Sequence, residues 1–332
     1  HIGLYVFGVY FLVLALTQNR YSATFGSLVS LASPPISFIT YADAYALVIH
    51  SVPWILYSVI QYKKTTEFRY LAIFTLSFCS IIYSYQLTYV FSFLIFVFFS
   101  WVILYWKEFS IQDLKKIPLW HITIITILLL LITLPIIQVA LIMANGDFLP
   151  PASRINPATI ATTEDLNVKF DLLFDRLPEF FFTRENLMAV IFTGAFWGKG
   201  AGPHWGVLAH FLGPIVLPFL AVALFSRSRI VLCFGLSALL ISSQAGGHFP
   251  GNLLYKLPFF NYIKYSGFLH IFFEFSIIIL SSLGFNIFFK NKDPLFKRIV
   301  IGSASLLIIG CILLAIILPG RDYSNSALAL TS

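Results

Sequence analysis

Several stretches of this chain run apolar for longer than the roughly 18 residues needed to cross a bilayer core, and this property limits the possible folds more than any other. In lipid every backbone donor and acceptor must be satisfied within the chain, which leaves α-helices or closed β-barrels. The apolar runs are continuous rather than alternating, so helices are expected. Composition agrees: 59% of the 332 residues are hydrophobic and 11% are charged, whereas a soluble domain is about a quarter charged. The expected fold class is all-α, a polytopic integral membrane protein with about ten transmembrane helices.

Ten spans are predicted, at 2–17, 22–40, 44–62, 69–85, 87–106, 117–143, 206–226, 229–246, 268–290 and 297–319. Residues 1–143 then hold six helices, 144–205 an external loop with an amphipathic surface helix, and 206–319 four more helices. An external basic loop falls at 246–267 and an external tail at 320–332. The second span is the most polar, containing Ser33-Pro34-Pro35. The uncharged stretch between Arg69 and Lys107 is too long for one crossing, and polar Tyr83 to Gln86 marks its turn. The sequence opens on His1 with no basic n-region or cleavage site, so an upstream part is expected.

Charge orients these spans. Alternate connections carry Arg20; Lys63, Lys64 and Arg69; Lys107, Lys115 and Lys116; Arg227 and Arg229; and Lys290, Lys292, Lys297 and Arg298. They hold 13 basic residues against four acids, while the other side holds eight basic residues and nine acids. By the positive-inside rule the first set faces the cytoplasm, which puts both ends of this segment outside. The net charge of +7 therefore belongs to topology. No basic run has the density of a nucleic-acid stripe, so no nucleic-acid partner is expected.

Two external connections are long enough to contain structure. In the first, Thr162-Thr163-Glu164-Asp165 reads as a helix N-cap with acids in the first turn. Leu166, Phe170, Leu173, Phe174 and Leu177 follow at helical spacing, with Asp165, Asp171, Asp175 and Glu179 on the polar face, as in a helix lying on a membrane surface. Met188 to Trp197 is apolar but too short to span, which suits a re-entrant or interfacial segment. The second connection, from Gly246 to Gly267, holds His248, Lys256 and Lys264 and no acid.

Glu274 is the most informative residue. It is predicted about two turns inside the 268–290 span, with His270 at i−4 on the same face. A carboxylate in a span costs several kcal/mol unless paired or hydrated, so it marks a site by default; the alternative is a structural His–Glu bond between helices. Lys256 and Lys264 above a His270–Glu274 pair suit an anionic headgroup entering from the outer leaflet. Asp43, flanked by Tyr41 and Tyr45 in a short external connection, is a weaker candidate, since a lone loop acid is usually just solvated. The stretch Trp197-Gly198-Lys199-Gly200 to Trp205 is not a phosphate loop, because no Ser or Thr follows the Lys and no strand precedes it. His50 and His121 read as packing residues. Cys79, Cys233 and Cys311 fall in apolar runs without metal-ligand spacing and read as buried small hydrophobes. No metal site and no Asn-x-Ser/Thr acceptor is found.

Two segments carry a family likeness. The first is His1 to Lys63, with His1-Ile2-Gly3, Gly8 to Tyr10, Arg20-Tyr21-Ser22-Ala23 and Pro53-Trp54. The second is Tyr255-Lys256-Leu257-Pro258-Phe259-Phe260-Asn261-Tyr262-Ile263-Lys264-Tyr265-Ser266-Gly267, running on to Leu283-Gly284. Together they cover about a third of the chain. They resemble the YfhO-like bacterial membrane proteins of the GT-C superfamily of polyprenol-dependent glycosyltransferases. Here the order is Pro-Trp where the family has Trp-x-Pro, and Ser266-Gly267-Phe268 stands where a second Arg is usual, with His270 as its replacement. The resemblance implies transfer of a sugar from a polyprenyl-phosphate carrier to an acceptor on the outer face of a prokaryotic cytoplasmic membrane. Lys264 matches the family's basic position. The family's catalytic Asp would lie upstream of His1 and is carried over to no residue here, which leaves Asp43 and Glu274 as the catalytic candidates.

The expected partners are thus the lipid bilayer, a polyprenyl-phosphate-linked sugar and other membrane subunits. The cofactor is undefined by the sequence, with a divalent cation as its candidate. Two rival readings stay open. One is a proton- or ion-coupled transporter or flippase working through Glu274 and His270, although no inverted repeat is visible. The other is a non-catalytic membrane subunit of a larger complex.

Overall fold

The computed structural model describes residues 1–31, 49–82, 87–105, 118–121, 123–128, 130, 134, 215–226, 228–245, 249–256 and 269–317. Among them every regular element is helical, so the chain is all-α over what is described. The helices are α1 (Ile2–Thr17), α2 (Arg20–Leu31), α3 (Ser51–Thr65), α4 (Phe68–Ile82), α5 (Leu87–Tyr105), α6 (Val216–Phe225), α7 (Arg229–Ala245), α8 (His270–Lys290) and α9 (Pro294–Ile317), with a 3₁₀ segment at Gly251–Lys256 before α8. A further helical stretch covers Leu119–Leu128. Each predicted apolar segment is helical over its described part. The surface helix, the re-entrant segment and most of the external loops lie outside the described residues.

Length separates these helices. Ile271–Lys290 is long and apolar enough to cross a bilayer unaided. Among the described residues α6 and α7 pass the same test only as a pair, bent by 117° at the break between them. The turns are short and have local causes. Gln18 takes left-handed backbone (φ 54°) and returns its N–H to Leu14 O, ending α1 two residues before α2 starts. Thr66 (φ 55°) ends α3 in the same way.

α8 is the axis of the bundle and packs against α1, α2, α6 and α7. Its crossings use small residues, which let helix backbones approach where no large side chain would fit. A methyl added at Gly284 would run into the carbonyl oxygen of Phe219 on α6, and one at Gly26 on α2 would meet the Ser282 hydroxyl. Beside these crossings Phe25 stacks on Phe285 at 4.7 Å and meets Phe219 edge-on at 5.2 Å.

Around an apolar buried core, large apolar side chains are also exposed and several polar ones are buried. Buried positions include Ser22, Ser58, Ser92, Ser237, Gln244 and Glu274, while Phe225 is 86% exposed, Leu306 73% and Leu76 72%. Most of the buried hydroxyls are satisfied locally: Ser237, Ser276 and Ser282 donate to carbonyls one turn back, of Cys233, Phe272 and Ile278, at 2.7–2.9 Å.

The contacts also sort charge. Lys64 Nζ donates to Ala15 O at 2.7 Å, Lys63 lies 5.3 Å from the Trp101 ring, and Arg229 lies 5.8 Å from the Tyr105 ring. Asn19 Nδ2 donates to Asn286 Oδ1 at 3.1 Å. These pairs bring together the C-terminal ends of α1, α3, α5 and α8 and the start of α7. Among the described residues, Lys256 is the one lysine or arginine away from that basic end.

Candidate functional site

Buried side-chain oxygens without a hydrogen-bond partner among the described residues occur at both ends of the bundle, Ser22 Oγ near the basic end and Tyr5 Oη and Gln244 Oε1 at the opposite one. Glu274 stands one turn into the described part of α8, which opens at His270. It is 2% exposed, and the side chains along α8 on either side of it are apolar: Ile271, Phe272, Phe275 and Ile278. Phe272 and Phe275 both pack on Phe93 of α5, at 5.2 and 5.8 Å. Tyr5 reaches the same level from α1. It is fully buried, its ring is 6.5 Å from Phe275, and its phenol lies within electrostatic reach of Glu274. Among the described residues Tyr5 Oη has no hydrogen-bond partner, and neither does Gln244 Oε1.

Gln244 belongs to a network that ties the 3₁₀ segment onto the last turn of α7. Its Nε2 donates to Ser92 Oγ on α5 at 3.1 Å. Tyr255 Oη donates to the Gln244 carbonyl at 3.0 Å, and Gly251 N–H donates to Ser243 Oγ at 3.0 Å. The approach at Gly251 is so close that any Cβ would collide with the backbone of Gln244, so glycine is required there. Burial, and secondarily the Tyr89 phenol, pushes the Tyr255 hydroxyl above its ordinary range, which keeps it a neutral donor. At this same end the His1 and His50 rings lie with centroids 5.2 Å apart, so the buried His50 makes a packing contact, as the sequence suggests.

Among the predicted site residues, Glu274 is thus buried and central. Lys256 closes the 3₁₀ segment and His270 opens α8, so both belong to the end of the bundle where Glu274 sits; their side chains lie outside what is described. Lys264 and Asp43 also fall outside the described residues. His121 does act as a packing residue: it is buried, and Tyr62 Oη lies 2.9 Å from its Nδ1 at the basic end. Cys233 is buried as expected, while Cys79 is half-buried.

Sequence reasoning missed Tyr5, Gln244 and Tyr255. Gln244 could have been found as a carboxamide closing an apolar helix, where each polar atom needs a partner. Tyr5 gives no such signal, since tyrosine is common in these helices. Among the described residues no group of three or more His, Cys, Asp or Glu could hold a metal ion.

What this end of the bundle offers chemically is a carboxyl, a phenol and a carboxamide oxygen, all withdrawn from solvent, with a lysine-bearing 3₁₀ segment tied to the last turn of α7. No protein-family profile matches the sequence, and neither a curated protein nor a solved structure does.

Proposed function

We propose that this chain is a multi-pass membrane protein with its basic end in the cytoplasm, and that it transfers a sugar from a polyprenyl-phosphate carrier at the opposite, outer end. The bilayer reading is supported by the long apolar helix Ile271–Lys290, by large apolar side chains on the outside, and by the buried carboxyl of Glu274 within that helix. The basic clustering at one end supports the orientation. The ten spans and the GT-C-like architecture belong to the same proposal and follow from the length of the apolar runs and the family resemblance.

The observation that carries a functional site is Glu274, 2% exposed and within electrostatic reach of the buried Tyr5 at the end away from the basic cluster. Keeping a carboxyl there costs folding free energy that an apolar residue would not, so function is the better account of it. In the proposed reaction Lys256 and Lys264 hold the carrier phosphate, and His270 and Glu274 order the site below. A carboxylate near the acceptor hydroxyl serves as general base while cations stabilise the phosphate leaving group.

The test uses the complete protein in membrane vesicles with a radiolabelled polyprenyl-phosphate sugar. Lys264→Ala should weaken donor binding about tenfold or more, as loss of a charge-assisted hydrogen bond does. Unchanged donor affinity and transfer would remove the phosphate assignment.

Transport is the second reading, favoured by the depth of the Tyr5–Glu274 pair. Proton-coupled uptake into liposomes that disappears in Glu274→Gln would select it over glycosyl transfer.

A further inference from the structure

At the basic end, the turn from α1 into α2 lies beside the turn from α8 into α9. Two contacts fix the pair: the Asn19–Asn286 hydrogen bond at 3.1 Å, and Tyr21 stacked on Phe289 at 5.0 Å. Arg20, Lys290, Lys292 and Arg298 are exposed around this corner. Its one acid among the described residues is Asp293, whose Oδ1 accepts the Leu295 N–H at 2.9 Å as the cap of α9. That leaves the corner strongly positive.

Other cations at the basic end are committed elsewhere: Lys63 and Arg229 to aromatic rings, Lys64 to the Ala15 carbonyl, and Arg69 to Glu67 in the one ion pair among the described residues. Arg20, Lys290, Lys292 and Arg298 have no such engagement there. Directly beside them Tyr21, Leu295 and Ile299 are all more than half exposed, an apolar surface bordering the charges.

Exposed cations gathered at one corner beside exposed apolar side chains suit a ligand with a phosphate at one end and hydrocarbon at the other. We propose that this corner is a binding site for an anionic phospholipid of the leaflet at the basic end, its phosphate held by Arg20, Lys292 and Arg298 and its chains lying along Leu295 and Ile299. The inference rests on the bilayer reading, independently of the sugar-transfer reading. A free phosphate shares the headgroup chemistry but gains nothing from the apolar wall.

The experiment is native mass spectrometry of the full chain, purified in mild detergent from membranes of phosphatidylglycerol and phosphatidylethanolamine. Phosphatidylglycerol should co-purify above its bulk fraction. The triple substitution R20Q/K292Q/R298Q should cut that enrichment about tenfold, while K63Q/R69Q at the same end and millimolar inorganic phosphate should leave it unchanged. K292Q alone, at an exposed position, should give a smaller loss in the same direction, so the answer does not depend on how the triple variant folds. Enrichment that survives both R20Q/K292Q/R298Q and K292Q, falls equally in K63Q/R69Q, or yields to inorganic phosphate would overturn the site. Wild-type protein found soluble without detergent would instead overturn the bilayer reading beneath it.

Discussion

Tyr5 of α1 lies within electrostatic reach of Glu274 of α8, both withdrawn from solvent, and the phenol oxygen of Tyr5 is without a hydrogen-bond partner among the described residues. A buried hydroxyl left unbonded costs about 1–3 kcal/mol. Replacing it by an isosteric apolar group should therefore leave the fold intact or improve it. Tyr5→Phe is expected to unfold in detergent at the same temperature as the parent or higher, while transfer activity falls. A lower unfolding temperature would mean that the hydroxyl has a structural partner after all.

Glu274→Gln separates function from stability at the other member of the pair. The amide keeps the shape and removes the charge, so the helix bundle should assemble normally. Activity should be lost, whether the readout is sugar transfer or ion-coupled uptake. Full activity with normal assembly would return Glu274 to a purely structural role.

The crossing of α8 with α6 depends on the missing side chain at Gly284, where a methyl would strike the Phe219 carbonyl oxygen. Gly284→Ala should destabilise the bundle by about 1–3 kcal/mol, as overpacking does. Gly235→Ala, inside α7, is the matched control: a Cβ there meets nothing within 4 Å, and alanine gains helix propensity of about 1 kcal/mol. Thermal unfolding of the two variants should move in opposite directions.

Helix positions were legible in the sequence because they depend on long apolar runs and on where polar residues interrupt them. The break at Gln18-Asn19-Arg20 and the start of α7 at Arg229 both follow from such interruptions. The 117° angle between α6 and α7, both packed on α8, was not legible, because the local pattern places the break between two helices and not the angle across it. At the candidate site Glu274 announced itself as a charge in an apolar run. Its neighbour Tyr5 did not, since its role comes from a contact between distant helices that one sequence cannot supply. The His1–His50 contact was hidden for the same reason.

Tyr255 gives a pH-dependent prediction. Its hydroxyl titrates above the ordinary phenol value in the folded chain, so the stability it contributes is complete below about pH 10 and is lost as pH rises towards its folded pKa. Proteolysis within the 3₁₀ segment should accelerate over that alkaline window. Tyr255→Phe should be cut faster at neutral pH, and this Tyr255-linked part of the alkaline acceleration should disappear.

The most direct test of the account is the side of the membrane on which each end of the bundle lies. Single cysteines are introduced at Leu253, half-exposed at the polar end, and at Lys292, exposed at the basic end. Cys79, Cys233 and Cys311 are replaced by alanine in both variants, and intact cells are treated with a membrane-impermeant maleimide. Leucine 253 replaced by cysteine should label at once, and the cysteine at Lys292 only after permeabilisation. Labelling of both in intact cells, or the reverse order, would contradict the orientation and remove the proposed outer site with it.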